Sequence, residues 1–453
     1  MLVATRSKSY YPSRMSDDTD PRLPDFPPLS PRGPQAPADT PPRYETANRT
    51  QIELTPTDLE ALLPLGHVAR LVWRFVEGLD LSAFYAPIRA REGGPGRPAI
   101  DPKILIALWL YATIDGVGSA REVDRLCYCH DAYRWLRGGV SVNYHTLSDF
   151  RVDHHAALDD LLTQSIAILR HRGVVTLARV AQDGTRVRAS AGVGSFRREG
   201  TLRECLKEAE KLVARTQRQG DGGLTRTEAA QARAAADRLA RVEDALAELP
   251  AVAAAKARTA RKRKGREPKE ARVSTTDPEA RVMKMADGGY RPAYNVQFAT
   301  DHDSDVIVGV AVTNASDQHE LVPMLTQVET RVGRPDTLLV DGGYVGHAAI
   351  DEATARGVTF VAPVPRRRGS DDPVPVQPTD SPAVVAWRAR MQTEEAKQQY
   401  RYRGAIAERI NADARTHRTL GQFLVRGLVN VQACVLWVAL AHNLRQAMAL
   451  VPH

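Results

Sequence analysis

The chain has 453 residues, 43% of them hydrophobic and 26% charged, with a formal net charge of +8. That length suffices for two or three domains around a sizeable core, and the balance of side chains is that of a soluble globular protein. The basic excess favours a polyanionic partner such as nucleic acid, and only four cysteines in so long a chain exclude a disulfide scaffold and point to a reducing compartment.

Residues 1–50 hold ten of the 29 prolines among Ser, Asp and Arg, a composition with too little apolar surface to order itself. They read as a disordered tail, and Met15 is an alternative start. No apolar run resembling a secretory signal occurs in the first fourteen residues.

Residues 51–172 read as an all-helical N-terminal domain. Thr57–Glu60 and Ser119–Glu122 carry capping-box signatures, and Asp101-Pro102 pairs an N-cap with proline at the first helical position. His67, Arg70 and Arg74 alternate with Val68, Leu71, Val72 and Phe75 at helical spacing, which suits either an amphipathic bundle or a helical module that binds DNA ends. The apolar runs 104–114 and 431–441 are too short to span a bilayer and read as buried core helices in a cytoplasmic protein. Cys127, Cys129 and His130 lack a second ligand pair at zinc-finger spacing, so buried thiols on a helix are expected.

At 174–191 the pattern changes to β-branched alternation, a strand expected to end near Asp183 at a glycine turn. An interruption follows at about 195–272. Thr201–Glu204 and Thr225–Glu228 open two helices around GDGG at 220–223, and apolar residues at 202, 205, 209, 212, 239, 242, 246 and 249 give an antiparallel helical hairpin. Its end, residues 256–272, holds nine basic and two acidic residues, among them Arg261, Lys262, Arg263 and Lys264, a density suited to phosphate contact.

Strand patterns return at 294–300 and 306–313, followed by a helix from Asp317 and a strand at 337–341 ending on Asp341. Another helix and strand fill 347–364; a loop covers 366–381, one long helix opens at Ser381-Pro382 and runs past Glu408, and a last helix fills 420–447. This order builds an α/β fold, a mixed sheet with helices on both faces, in which Asp183 and Asp341 end adjacent strands.

A carboxylate at the end of a buried strand is costly to desolvate unless something binds it. On the long helix, Tyr400, Arg403, Glu408 and Arg415 fall within one arc of about 140°. Glu408 is thus placed to join the aspartates, with Arg403 and Arg415 free to fork around phosphate oxygens. Three carboxylates without a His or Cys ligand set suit Mg²⁺ or Mn²⁺. A pair of such ions about 4 Å apart activates water and stabilises a leaving phosphodiester oxygen.

QDGTRVRASAG (182–192), TDPEARVMKMADGGYRPAYNVQFATD (276–301), LLVDGGYVG (338–346) and Y-x2-R-x4-E-x6-R (400–415) occur in this order. They resemble the motifs of the DDE-type transposases of bacterial insertion sequences, with a ribonuclease H-like catalytic domain. Residues 71–85, 96–112 and 144–151 resemble the helical N-terminal domain of these enzymes, and 426–446 their C-terminal helix. In related branches three residues, not four, more often separate the arginine from the glutamate.

The resemblance implies catalytic metal-binding Asp183, Asp341 and Glu408, the ligands of two Mg²⁺ or Mn²⁺ ions, with Tyr400, Arg403, Arg415 and the 261–264 run on DNA. It also implies a domain division at 172/173, transposon-end and target DNA as partners, and a homodimer or larger synaptic assembly at the nucleoid. Asp287 carries a second DGGY but lacks a preceding apolar strand, so Asp341 is preferred. The alternatives are a ribonuclease H-like nuclease without strand transfer and a DNA-binding derivative without catalysis.

Overall fold

The computed structural model describes residues 58–90, 98–218, 225–262, 267–366 and 373–450. The expected tail, the GDGG link, Thr57, Arg263 and Lys264 lie outside them.

The helical region comprises α1 (Val68–Glu77), α2 (Ser82–Tyr85), α3 (Pro102–Ile114), α4 (Ala120–Cys129), α5 (Asp131–Arg137), α6 (Tyr144–Asp153) and α7 (His155–His171). Asp101 caps α3 through Lys103 N at 2.9 Å, and Ser119 caps α4 through Glu122 N at 3.4 Å. The expected first helix is instead a short 3-10 turn, Glu60–Leu62, and His67 starts α1 by accepting from Ala69 N. Cys127 is buried on α4, Cys129 is exposed, and the His130 ring caps α5 through Ala132 N.

The sheet strands are β1 (Arg179–Arg188), then, after the insertion, β4 (Arg281–Lys284), β5 (Tyr290–Asp301), β6 (Ile307–Thr313), β7 (Thr337–Leu339) and β8 (Thr359–Val361). Strand β5 pairs antiparallel with β1 on one edge and with β4 and β6 on the other; β7 and β8 continue parallel beyond β1. This is the mixed sheet of a ribonuclease H-like fold. Strand β1 does not end at Asp183, because β5 offers an antiparallel partner as far as Arg188, whereas β7 stops at Leu339.

The insertion joins β2 (Phe196–Arg197), α8 (Glu199–Arg218), α9 (Arg226–Lys262) and β3 (Val273–Ser274). Leu202, Ala245, Leu249, Val252 and Val273 form a small core separate from the main one. Thr225 and Glu228 close a reciprocal capping box at α9. Helix α8 starts at Glu199, ahead of the expected Thr201, since Leu202 N already bonds Arg198 O.

The remaining helices are α10 (Leu321–Val332), α11 (His347–Ala355), α12 (Pro382–Arg390), α13 (Glu394–His417) and α14 (Leu428–Leu450). The expected helix from Asp317 begins as a 3-10 turn, because the Asp317 carboxylate turns to side-chain amides rather than capping. The single helix expected from Pro382 past Glu408 is broken at Met391–Thr393, and Thr393 caps α13 afresh through Ala396 N. Helix α14 is buried from Val431 to Asn443 on most faces and packs on α3, α6, α7 and β6. Its Asn443 amide exchanges two 2.8 Å hydrogen bonds with Ile307, fixing the helix to β6. Asp277 and Glu279 accept from Gly427 N and Leu428 N at its start, satisfying donors that a helix end leaves open.

Candidate active site

The parallel register ends with Ala181 opposite Leu339. Asp183 lies two residues further along β1 and Asp341 two residues past the end of β7, close enough for the Asp341 charge to act on Asp183. Asp341 follows the end of β7 and accepts from Gly343 N at 2.7 Å, closing its own turn. Asp183 lies within β1 opposite Phe298. Arg403 donates to its Oδ1 at 2.9 Å and Asn411 donates to its Oδ2 at 2.8 Å, both from α13. Burial pushes the Asp183 carboxyl above its ordinary range; Arg403 opposes this, while the charges of Asp341 and Asp317 add to it.

Asp317 reads in the sequence as a helix cap, and the structure gives it another place. Its Oδ1 accepts from Asn295 and Gln297 at 2.7 Å each, and its Oδ2 faces Arg186 at 3.5 Å. The Tyr344 hydroxyl donates to Gln297 Oε1, and burial followed by the charges of Asp317, Asp183 and Asp341 pushes this phenol strongly upward. A polar residue shortly after an apolar strand is the sole sequence signal for Asp317. Gly184 makes the arrangement possible: a Cβ there would overlap Asp317 Oδ1 and Gln297 Nε2.

A cleft of about 850 Å³ opens over Asp183 between β4 and α13. Arg186, Arg281, Lys284 and Arg415 supply its positive wall, and Glu408 and Asn411 line it from α13. Glu408 and Arg415 are exposed, Arg403 is buried, and half-buried Tyr400 lies with its ring 5.9 Å from the Arg403 guanidinium carbon. Arg403 thus faces the first aspartate, and Arg415 Nε bonds Asn411 O at 3.2 Å. Away from the cleft, Arg261 is exposed near the end of α9, which closes at Lys262. Asp287 sits in the exposed β4–β5 turn, paired with Arg291 at 2.8 Å. Glu394 pairs with Lys397 at 2.8 Å.

Among the described residues no three His, Cys, Asp or Glu side chains already converge as a metal cage. The donor chemistry nevertheless suits a hard cation: the Asp183 and Glu408 carboxylates on the cleft, Asp341 near Asp183, and the buried Asn411 Oδ1, which has no hydrogen-bond partner.

Residues 258–444 match the family model of the transposase DDE domain, and residues 57–153 match that of a transposase domain known as DUF772. Together they define a transposase. The chain belongs to the DDE-type transposases of insertion sequences. Asp341 and Glu408 fall inside the matched DDE segment, and Asp183 precedes it. No curated protein matches the chain.

Proposed function

We propose that this transposase binds the terminal inverted repeats of its insertion sequence, cuts DNA at their ends, and joins the freed 3′-hydroxyl to target DNA. The observation that carries the reading is the Asp183 carboxylate under a cleft walled by Arg186, Lys284, Glu408 and Arg415, with Asp341 just past the end of the neighbouring parallel strand and close enough for its charge to act on Asp183. Asp183, Asp341 and Glu408 would hold Mg²⁺ or Mn²⁺. Such ions supply activation of the attacking oxygen and stabilisation of the leaving oxygen.

The chain's own groups do the rest. The basic wall holds phosphodiester oxygens, and Arg403 and Asn411 hold the Asp183 carboxylate in place. In cleavage, water oxygen bonds to phosphorus and gives up a proton as the 3′-oxygen leaves and takes one up. In joining, that 3′-hydroxyl oxygen bonds to a target phosphorus and loses its proton as the bond to the target 3′-oxygen breaks, and this leaving oxygen takes up a proton. We assign end binding to residues 51–172 with the basic 256–272 run, and chemistry to 173–453. Each subunit supplies one site, so synapsis of two ends on nucleoid DNA takes a homodimer or a larger assembly.

Labelled DNA from either side of the coding sequence tests this. The protein should bind both flanks at a shared inverted repeat, nick them with Mg²⁺, and produce joined molecules. Nicks without joined products would leave a nuclease; binding without nicks would leave a DNA-binding protein.

A further inference from the structure

Asn411 is an unspecified position in the spacer of the Y-x2-R-x4-E-x6-R motif, yet it is the residue of α13 that reaches Asp183 together with Arg403. It follows Glu408 by three positions, so one helical turn carries both onto the cleft. Its residue exposure is 6%, its Nδ2 donates to Asp183 Oδ2 at 2.8 Å, and its Oδ1 is buried without a hydrogen-bond partner. An amide held by one end beside a carboxylate therefore keeps an acceptor oxygen in reserve at the same place. Burying such an acceptor unpaired is unfavourable, and a group that supplies positive charge there relieves it.

We propose that Asn411 is an oxygen donor to the divalent cation held at Asp183, a ligand added to the three carboxylates. The proposal rests on the metal-dependent reading above. Amide carbonyls are ordinary ligands for hard cations. An aspartate at 411 would place a further negative charge against Asp183, whose surroundings already include Asp341 and Asp317. The amide instead offers an oxygen without charge and an N–H that keeps the Asp183 carboxylate in position.

The test is Mn²⁺ titration of the full-length protein without DNA, followed by calorimetry, alongside thermal melts. Asn411→Leu, of the same branched shape and without polar atoms, should bind Mn²⁺ about tenfold or more weakly. Asn411→Asp keeps an oxygen and loses the N–H, so it should bind Mn²⁺ at least as tightly as the parent. Parent-like affinity in Asn411→Leu would overturn the proposal. Equal weakening in both variants would also overturn it, by showing that the N–H and not the oxygen matters. Asp183→Asn separates the underlying reading: if it leaves Mn²⁺ binding unchanged, the metal site itself is misplaced. If Asp183→Asn abolishes binding while Asn411→Leu does not weaken it, Asn411 alone is refuted. Should Asn411→Leu fail to fold, Asn411→Asp decides alone, weakened binding refuting the oxygen-donor role.

Discussion

The two aspartates of the site are held from opposite directions. Asp183 is inside a strand and is grasped by a helix more than 200 residues away in sequence, through Arg403 and Asn411. Asp341 stands past the end of its strand and is held by its own next-but-one backbone amide, Gly343 N. The first half of the site therefore exists only when sheet and α13 are docked, whereas the second is a local turn. Changes that disturb tertiary packing should damage the Asp183 half first.

The largest expected effects come from the carboxylates. Asp183→Asn, Asp341→Asn and Glu408→Gln should each lower nicking by roughly a thousandfold or more, in non-additive fashion, because loss of a ligand loses the metal. Retained binding of transposon ends in gel-shift titrations should accompany the loss, since phosphate affinity comes from the basic groups. Nicking retained by Glu408→Gln would remove it from the site and return attention to Glu394 and Glu395.

The glycines that follow the two aspartates sharpen the contrast. Gly184→Ala should cost about 1–3 kcal/mol by urea unfolding and sharply reduce nicking, because its Cβ overlaps Asp317 and Gln297. Gly342→Ala should stay within about 0.5 kcal/mol, since the nearest atom to its Cβ is Pro363 Cγ at 3.7 Å and its φ is not in the left-handed region. Equal costs at the two positions would erase the distinction between a packed half and a local half.

A smaller effect tests how α13 is docked. Asp413 is held by His442 and Arg418, which bring its carboxyl from an ordinary 3.8 down to about 2. A lowered value in the folded state stabilises above the ordinary carboxylate range, and the contribution is lost as pH falls from about 4 through about 2. Allowing for solvent screening, it amounts to about 1–2 kcal/mol. Asp413→Asn should therefore lower the thermal midpoint at neutral pH and flatten its decline in acid; an unchanged acid profile would show that this cluster does not secure α13.

Smaller still is the contribution of the basic run. Neutralising Lys262, Arg263 and Lys264 together should flatten the salt dependence of end binding, by about 0.9 in the log–log slope for each phosphate that the run no longer neutralises. An unchanged slope would take that run off the DNA.

Much of this was legible in the chain because it is local. The apolar runs at 104–114 and 431–441 mark α3 and α14, and the Thr225 box marks the start of α9. The course of β1 beyond Asp183 was not legible, since it depends on pairing with β5, and Gly184 with Gln297 are 113 positions apart. Gly184 looks like a turn residue and is instead a place of close approach. Asp317 has the pattern of a helix cap, but the amides of Asn295 and Gln297 compete for its carboxylate and win. Asn411 is one of three amides in a charged helix, and only the docking of α13 onto β1 gives it a role.

The central claim is that one cation site joins β1, the turn after β7 and α13. Fe²⁺ substituted for Mg²⁺ in the full-length protein, with ascorbate and peroxide, generates radicals that cut the chain beside the bound metal. The account predicts three clusters of cuts, near 183, near 341 and near 408–411, all suppressed by excess Mg²⁺ and all lost in Asp183→Asn. Cuts confined to one of these segments, or centred elsewhere on the chain, would contradict it.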